Sequence, residues 1–167
     1  MNKFKRFPHF RQNNTSDCGP TCLRMIARYY GVDYTAEMLR RHCHVSRRGV
    51  NMLGISEGAE HIGLDTVGVK MTFSQLAEDG LFPCILYWNQ IHFVVCYGIE
   101  RDKAGSYKIH ISDPASQRLT YTREEFERCW IGRRAEDKGC GVALMLEPGE
   151  NWGKVEDEYR KNSRSIL

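Results

Sequence analysis

Long hydrophobic runs are missing from this chain: no stretch approaches the roughly 18 apolar residues that a membrane-spanning helix needs. The N-terminal run MNKFKRFPHF is basic and aromatic but has no apolar centre, so it does not read as a secretory signal. Paired Cys-x-x-Cys spacing is absent, and with it the usual zinc frame. His42-Cys43-His44 does not replace it, because adjacent ligands strain tetrahedral coordination. No internal repeat or low-complexity tract is present. Neither sign of charge dominates, with 24 Lys and Arg against 21 Asp and Glu and a net charge of +3. Arg40-Arg41 with Arg47-Arg48 forms a loose basic cluster that reads as solvated surface. Neither a metal nor a nucleic-acid partner is therefore expected.

What is present suits one soluble domain with a tail. A chain of 167 residues, 41% hydrophobic and 27% charged, can bury a core without disulfide staples. The seven Cys residues are odd in number and dispersed. Cys84 and Cys96 sit in apolar, strand-like runs, where free Cys acts as a small core hydrophobe. This pattern fits a reducing compartment and a cytosolic location better than a disulfide framework.

The pattern of elements changes along the chain. Residues 1–15 read as an extended lead-in. Ser16-Asp17 offers N-cap chemistry, and the apolar spacing of residues 22–30 predicts a helix stopped by Gly31. A second helix is expected from Thr35 to about Cys43. A third is expected over 49–62, with Leu53, Ile55, Ala59 and Ile62 on its buried side. Strands are expected at 66–69, 84–88, 92–99, 107–112 and 142–146, with breaks at Gly98, 102–105 and Asp113-Pro114. Thr122-x-x-Glu125 is a capping box for a helix ending near Trp130. Helices followed by hairpin-linked strands predict an α+β fold, with an N-terminal helical half packed on a C-terminal antiparallel sheet. Residues 1–148 read as the domain. Residues 149–167 are polar and charged, and read as a linker or tail outside it.

Four residues carry the chemistry. Cys18 follows an N-cap candidate, and the free N–H groups of a first helical turn favour a thiolate. Gly19 leaves room there for a substrate backbone. His92 stands at the head of a hydrophobic strand, where an imidazole is held rigidly. Asp113 ends the following strand. An antiparallel arrangement would bring it to His92, where it would accept the Nδ1–H and set the tautomer. Gln12, six residues before Cys18, has an amide that can donate to a developing oxyanion, together with the Cys18 N–H. Nucleophile, base, orienter and electrophilic donor are the parts that acyl transfer requires. The order Gln, Cys, His, Asp is that of papain-like sites, and a thiolate–imidazolium pair predicts a bell-shaped pH profile.

The run Gln12 to Leu23 (QNNTSDCGPTCL) closely resembles the cysteine motif of peptidase family C39. His92-Phe93-Val94-Val95 and Ser112-Asp113-Pro114-Ala115 resemble that family's histidine and aspartate motifs. The resemblance covers residues 7–148. It implies a papain-like cysteine endopeptidase that removes leader peptides after a double-glycine-type motif while an ABC transporter exports the cargo. It also implies Gln12 in the oxyanion hole and no cofactor for the peptidase itself, ATP belonging to the transporter. The implied partners are an amphipathic leader helix and the transporter's membrane and ATPase parts. The implied location is the cytoplasmic face of a bacterial inner membrane, with 149–167 as the start of a linker.

A scissile pair of small residues needs a narrow channel with bulky walls. Trp88, Tyr97 and Trp130 are candidates for these walls, and Met52, Leu53, Met71 and Phe73 are candidates for an apolar leader groove. Three rivals stand beside the peptidase: a Cys18–Cys22 redox pair, a leader-binding module with slow or gated cleavage, and a papain-like acyl transferase.

Overall fold

The computed structural model describes residues 3–160. A 3-10 turn at Lys3–Arg6 stands where only extended lead-in was expected, and three α-helices follow: α1 (Cys18–Tyr29), α2 (Ala36–His42) and α3 (Met52–His61). Thr35 and Asn51 cap α2 and α3 by accepting the N–H groups of Met38 and Gly54. Nine of the twelve α1 residues are buried. Each large apolar side chain among them, such as Leu23 or Ile26, contributes about 1.5–3 kcal/mol by leaving water.

Six strands follow, with two further helices among them: β1 (Leu64–Met71), α4 (Phe73–Asp79), β2 (Cys84–Trp88), β3 (His92–Arg101), β4 (Tyr107–Ser112), β5 (Arg118–Tyr121), α5 (Arg123–Trp130) and β6 (Gly141–Pro148). They make one antiparallel sheet in the order β1-β6-β2-β3-β4-β5. The α+β arrangement expected from the sequence is present, with α1 to α3 on one face of the sheet. Leu23, Ile26, Leu39, Ile55, Ile85, Val95 and Leu144 form the core there. The other face carries a second core, in which α4 and α5 contribute Phe73, Leu76, Phe126 and Trp130 against Trp88, Val94 and Ile111.

The structure corrects several expectations. The third helix starts at Met52 rather than Gly49, and its Leu53 is 67% exposed while Ile55, Ala59 and Ile62 are fully buried. Gly98 does not break its strand: β3 runs on to Arg101 with a register shift between Cys96 and Gly98, a bulge of the kind glycine marks. Helix α4 and strand β5 were not anticipated.

The segment after Pro148, expected to lie outside the domain, is docked on it through some of its side chains. Trp152 donates from Nε1 to the Tyr30 carbonyl at 3.3 Å, and its ring meets Tyr34 edge-on. Asp157 accepts from the Thr35 backbone N–H at 2.6 Å and the Thr35 hydroxyl at 3.0 Å. Arg160 donates to the Asp33 carbonyl at 2.7 Å. Three apolar residues, Trp152, Val155 and Tyr159, pack on the helical core. Their i, i+3, i+7 spacing is a helical one, but three apolar residues in a polar run make too narrow a stripe to mark a core element, and residues 151–157 are in fact turn and irregular backbone. Residues 161–167 of the expected tail lie outside the described residues.

Candidate active site

Cys18 is the first residue of α1. Asp17 occupies the N-cap position, but its side chain makes no cap and instead faces Arg40 at 3.4 Å. Pro20 has no N–H, so the leading edge of α1 presents the N–H groups of Cys18 and Gly19. Gly19 has a different task from the one expected. A Cβ there would lie 2.5 Å from Val50 Cγ1 and 2.8 Å from Ile55, so its bareness lets α1 approach α3 and the loop before it.

His92 opens β3 after a three-residue hairpin loop, with Trp88 paired to His92 across it. Asn89 and Gln90 both adopt left-handed backbone, at φ 52° and 65°. The Tyr87 hydroxyl donates to the Gln90 carbonyl, and the Asn89 N–H donates to the Cys129 carbonyl at 2.8 Å, so the loop is held from two sides.

Asp113 follows β4, and the antiparallel pairing of Val95 with Ser112 brings it beside the start of β3. His92 Nε2 donates to Asp113 Oδ1 at 2.8 Å. The expected donor was Nδ1. The ring extends its distal nitrogen, Nε2, to the end of the neighbouring strand. That leaves the proximal Nδ1 free of Asp113, and Cys18 is close enough to act on the ring's charge. Burial pulls the imidazole's pKa down, but the bonds and charges of Asp113 and Cys18 outweigh it and raise it to about 9. Burial raises the Asp113 carboxyl, yet the bonds from His92 and the Ala115 N–H hold it below its ordinary value.

Gln12 reaches the same corner. Its N–H donates to the Pro114 carbonyl at 2.8 Å, and its side-chain Nε2 donates to the Asn14 carbonyl at 2.8 Å. An amide nitrogen carries two protons, so one N–H stays available for a ligand.

The other expected residues scatter. Trp88 is 2% exposed, held between Tyr121 and Phe126, and presents no wall to a substrate. Trp130 and Phe73 are buried in the same second core, and Met71 packs against it. Tyr97 is half-buried, with its ring stacked on Phe7 at 4.5 Å. Leu53 faces solvent on α3. Met52 alone of these lines a groove beside His92, an opening of about 460 Å³ bounded also by Val50, Tyr87, Ile91 and Phe93. Sequence reasoning missed these last four. Two signals were available: the alternation that puts Tyr87 and Phe93 on the helical side of the sheet, and an apolar Ile91 in a turn.

The rival chemistries find little support in the geometry. Cys22 donates its S–H to the Phe93 carbonyl at 3.4 Å, and burial first, then the neighbouring Cys18 and Asp113, push its thiol well above the ordinary value. Such a thiol is a poor redox partner. Among the described residues no three His, Cys, Asp or Glu side chains could hold a metal.

A thiol at a helix start, an imidazole electrostatically coupled to it and a carboxylate bonded to the imidazole, on helices packed against an antiparallel sheet, define a cysteine peptidase of the papain-like class. The Peptidase C39 family profile matches residues 6–135, and the chain belongs to that family. Two proteins of Escherichia coli, a probable microcin-H47 secretion/processing ATP-binding protein and the colicin V secretion/processing ATP-binding protein, are each 32% identical over 163 residues. Those matches cover 98% of this chain and 21% of each relative, so the chain spans about a fifth of their length. Among solved structures, a double glycine motif protease from an AMS/PCAT transporter, in complex with its leader peptide, superposes with a TM-score of 0.73. Its identity is 33%, over 84% of this chain and 91% of that one. The peptidase domain of Streptococcus ComA superposes with a TM-score of 0.70 at 26% identity, over 86% of this chain and 99% of that one.

Proposed function

We propose that this domain removes the leader from a peptide precursor by cutting after a double-glycine-type pair, as the peptidase part of an exporting ABC transporter. The observation that carries the reading is the His92 imidazole, bonded to Asp113 at 2.8 Å and electrostatically coupled to Cys18. With its pKa raised to about 9, the ring holds its proton at neutral pH and is ready to act as the general acid. The thiolate attacks the carbonyl of the second small residue and forms the C–S bond. The oxyanion takes hydrogen bonds from the Cys18 N–H and the spare Gln12 N–H. His92 then gives its proton to the departing amine as the C–N bond breaks. Water, deprotonated by the now neutral His92, hydrolyses the thioester and restores the thiol.

The groove of Val50, Met52, Tyr87, Ile91 and Phe93 beside His92 is suited to an apolar leader side chain. By likeness to its relatives, the domain acts at the cytoplasmic face of a bacterial membrane, tethered to membrane and ATPase parts. No helix among the described residues is long and apolar enough to cross a membrane. A linker to such parts would start beyond the docked residues 149–160. No cofactor is needed for the peptide cleavage, and ATP would serve the transporter.

The test compares the chain with Cys18→Ala on a peptide carrying a Gly-Gly leader, followed by mass spectrometry and by binding. Cleavage after the pair by the intact chain alone is the expected result. Binding without cleavage by either would favour a leader-binding module, and absence of binding and cleavage would sink the reading.

A further inference from the structure

The lead-in segment is laced to the turn that carries Asp113. Arg118 Nη1 donates to the Phe7 carbonyl at 3.1 Å, and the Ser112 hydroxyl faces the Pro8 carbonyl at 3.4 Å. His9 Nε2 meets the Asp113 carbonyl at 2.8 Å, and the Gln12 N–H meets the Pro114 carbonyl at 2.8 Å. A carbonyl only accepts, so His9 Nε2 carries the proton and donates it.

Asp113 is otherwise held from within its own turn. Its N–H donates to the Gln117 carbonyl at 3.0 Å, and its carbonyl accepts the Ser116 N–H at 3.1 Å. Its Oδ1 accepts the Ala115 N–H at 2.9 Å and His92 Nε2 at 2.8 Å. Among the described residues, His9 is the one group from outside that turn bonded to the Asp113 main chain. It stands three residues before Gln12, on the same lead-in segment.

We propose that His9 is a positioning residue for the peptidase reaction: it grips the Asp113 carbonyl so that the carboxylate on the same residue meets His92. One segment thereby ties the candidate oxyanion donor to the group that orients the base. The inference rests on the peptidase reading given above. His9 acts through Asp113 and touches neither substrate nor thiol in this scheme. Loss of its N–H frees the main chain of a turn whose carboxylate must stay within hydrogen-bond reach of one imidazole nitrogen. Small displacements at such a place are expensive in rate.

The experiment compares His9→Gln, which keeps an N–H near the Nε2 position, with His9→Leu, which keeps bulk and loses the donor. In His9→Leu, kcat for the Gly-Gly peptide is expected to fall about tenfold with KM within about twofold. The alkaline limb of its pH profile should also move down, because His92 loses part of its grip on Asp113. His9→Gln should keep most of kcat and the wild-type limb. Equal kcat and equal pH profiles in the two variants would overturn the proposal, as would a loss in His9→Leu that His9→Gln shares. His9→Ala replaces the leucine variant, with the same two outcomes, if that variant does not fold. The His92 imidazole titration, followed by NMR without substrate, separates this inference from the peptidase reading. If the wild type leaves the peptide uncut, that reading fails alone. A downward shift in His9→Leu but not in His9→Gln still supports the positioning role, and no shift in either ends it.

Discussion

The two faces of the sheet are built differently. The helical face is assembled from close approaches and polar ties: a bare Gly19 between α1 and α3, caps at Thr35 and Asn51, and the docked segment ending in Asp157 and Arg160. The nucleophile sits at the edge of this face. The far face is a sealed aromatic cluster, with Phe126 between Phe73, Trp88 and Trp130 at centroid distances of 5.3 to 5.7 Å. One face supplies a positioned, half-open edge, and the other supplies dry ballast. Stability and chemistry are therefore separable by mutation, which each of the following substitutions tests.

The largest effect is expected at Phe126, which is fully buried. Phe126→Ala should lower unfolding stability by about 3–5 kcal/mol, read from urea unfolding. Its activity should fall only with the unfolded fraction, and a folded but inactive variant would break the separation. Asp113→Asn should weigh the other way: a loss of about 100-fold in kcat/KM, with a stability loss at neutral pH smaller than that of Phe126→Ala, because the protonated His92 loses its partner. The charge and bond that raise His92 to about 9 are then weakened, so the alkaline limb of the rate profile should move down from there toward 6.5. The sign follows because the working form of His92 is protonated and is lost as pH rises through its pKa. An unmoved limb would argue that another group sets it.

Gly19→Ala touches both properties. The added methyl overpacks against Val50 and Ile55 and should cost about 1–3 kcal/mol. Because Gly19 adjoins Cys18, activity should fall by more than the unfolded fraction explains. Asp157→Ala gives the smallest effect, about 1 kcal/mol from the lost bonds to Thr35, with cleavage kinetics unchanged. A loss of cleavage there would tie the docked segment to the chemistry.

Elements with local signals were legible. Strands β2 and β4 and the end of α5 at Trp130 match the pattern reading, because alternation and the Thr122–Glu125 box act over a few residues. Helix α4 carries the same kind of signal, a reciprocal capping box of Thr72 and Gln75. Strand β5 gave little warning: its four residues are half-exposed or exposed, so no apolar run marks them. At the site, residue types and chain order pointed to Cys18, His92, Asp113 and Gln12. The choice of nitrogen on His92, the burial of Trp88 and Phe73, and the groove around Met52 were not legible. Each depends on which strand lies beside which and on the direction a side chain takes there.

The sequence by itself determined that a thiol would stand at the start of a helix, that a histidine would head a hydrophobic strand, and which family's motifs surround them. Those are properties of neighbours along the chain. Only the tertiary structure decided that His92 gives Nε2 to Asp113 and leaves Nδ1 free of it, that residues 149–160 belong to the helical face, and that His9 reaches the Asp113 carbonyl from 104 positions away. Hydrogen bonds set such choices at close range between segments far apart in sequence, and no local pattern encodes where two such segments meet.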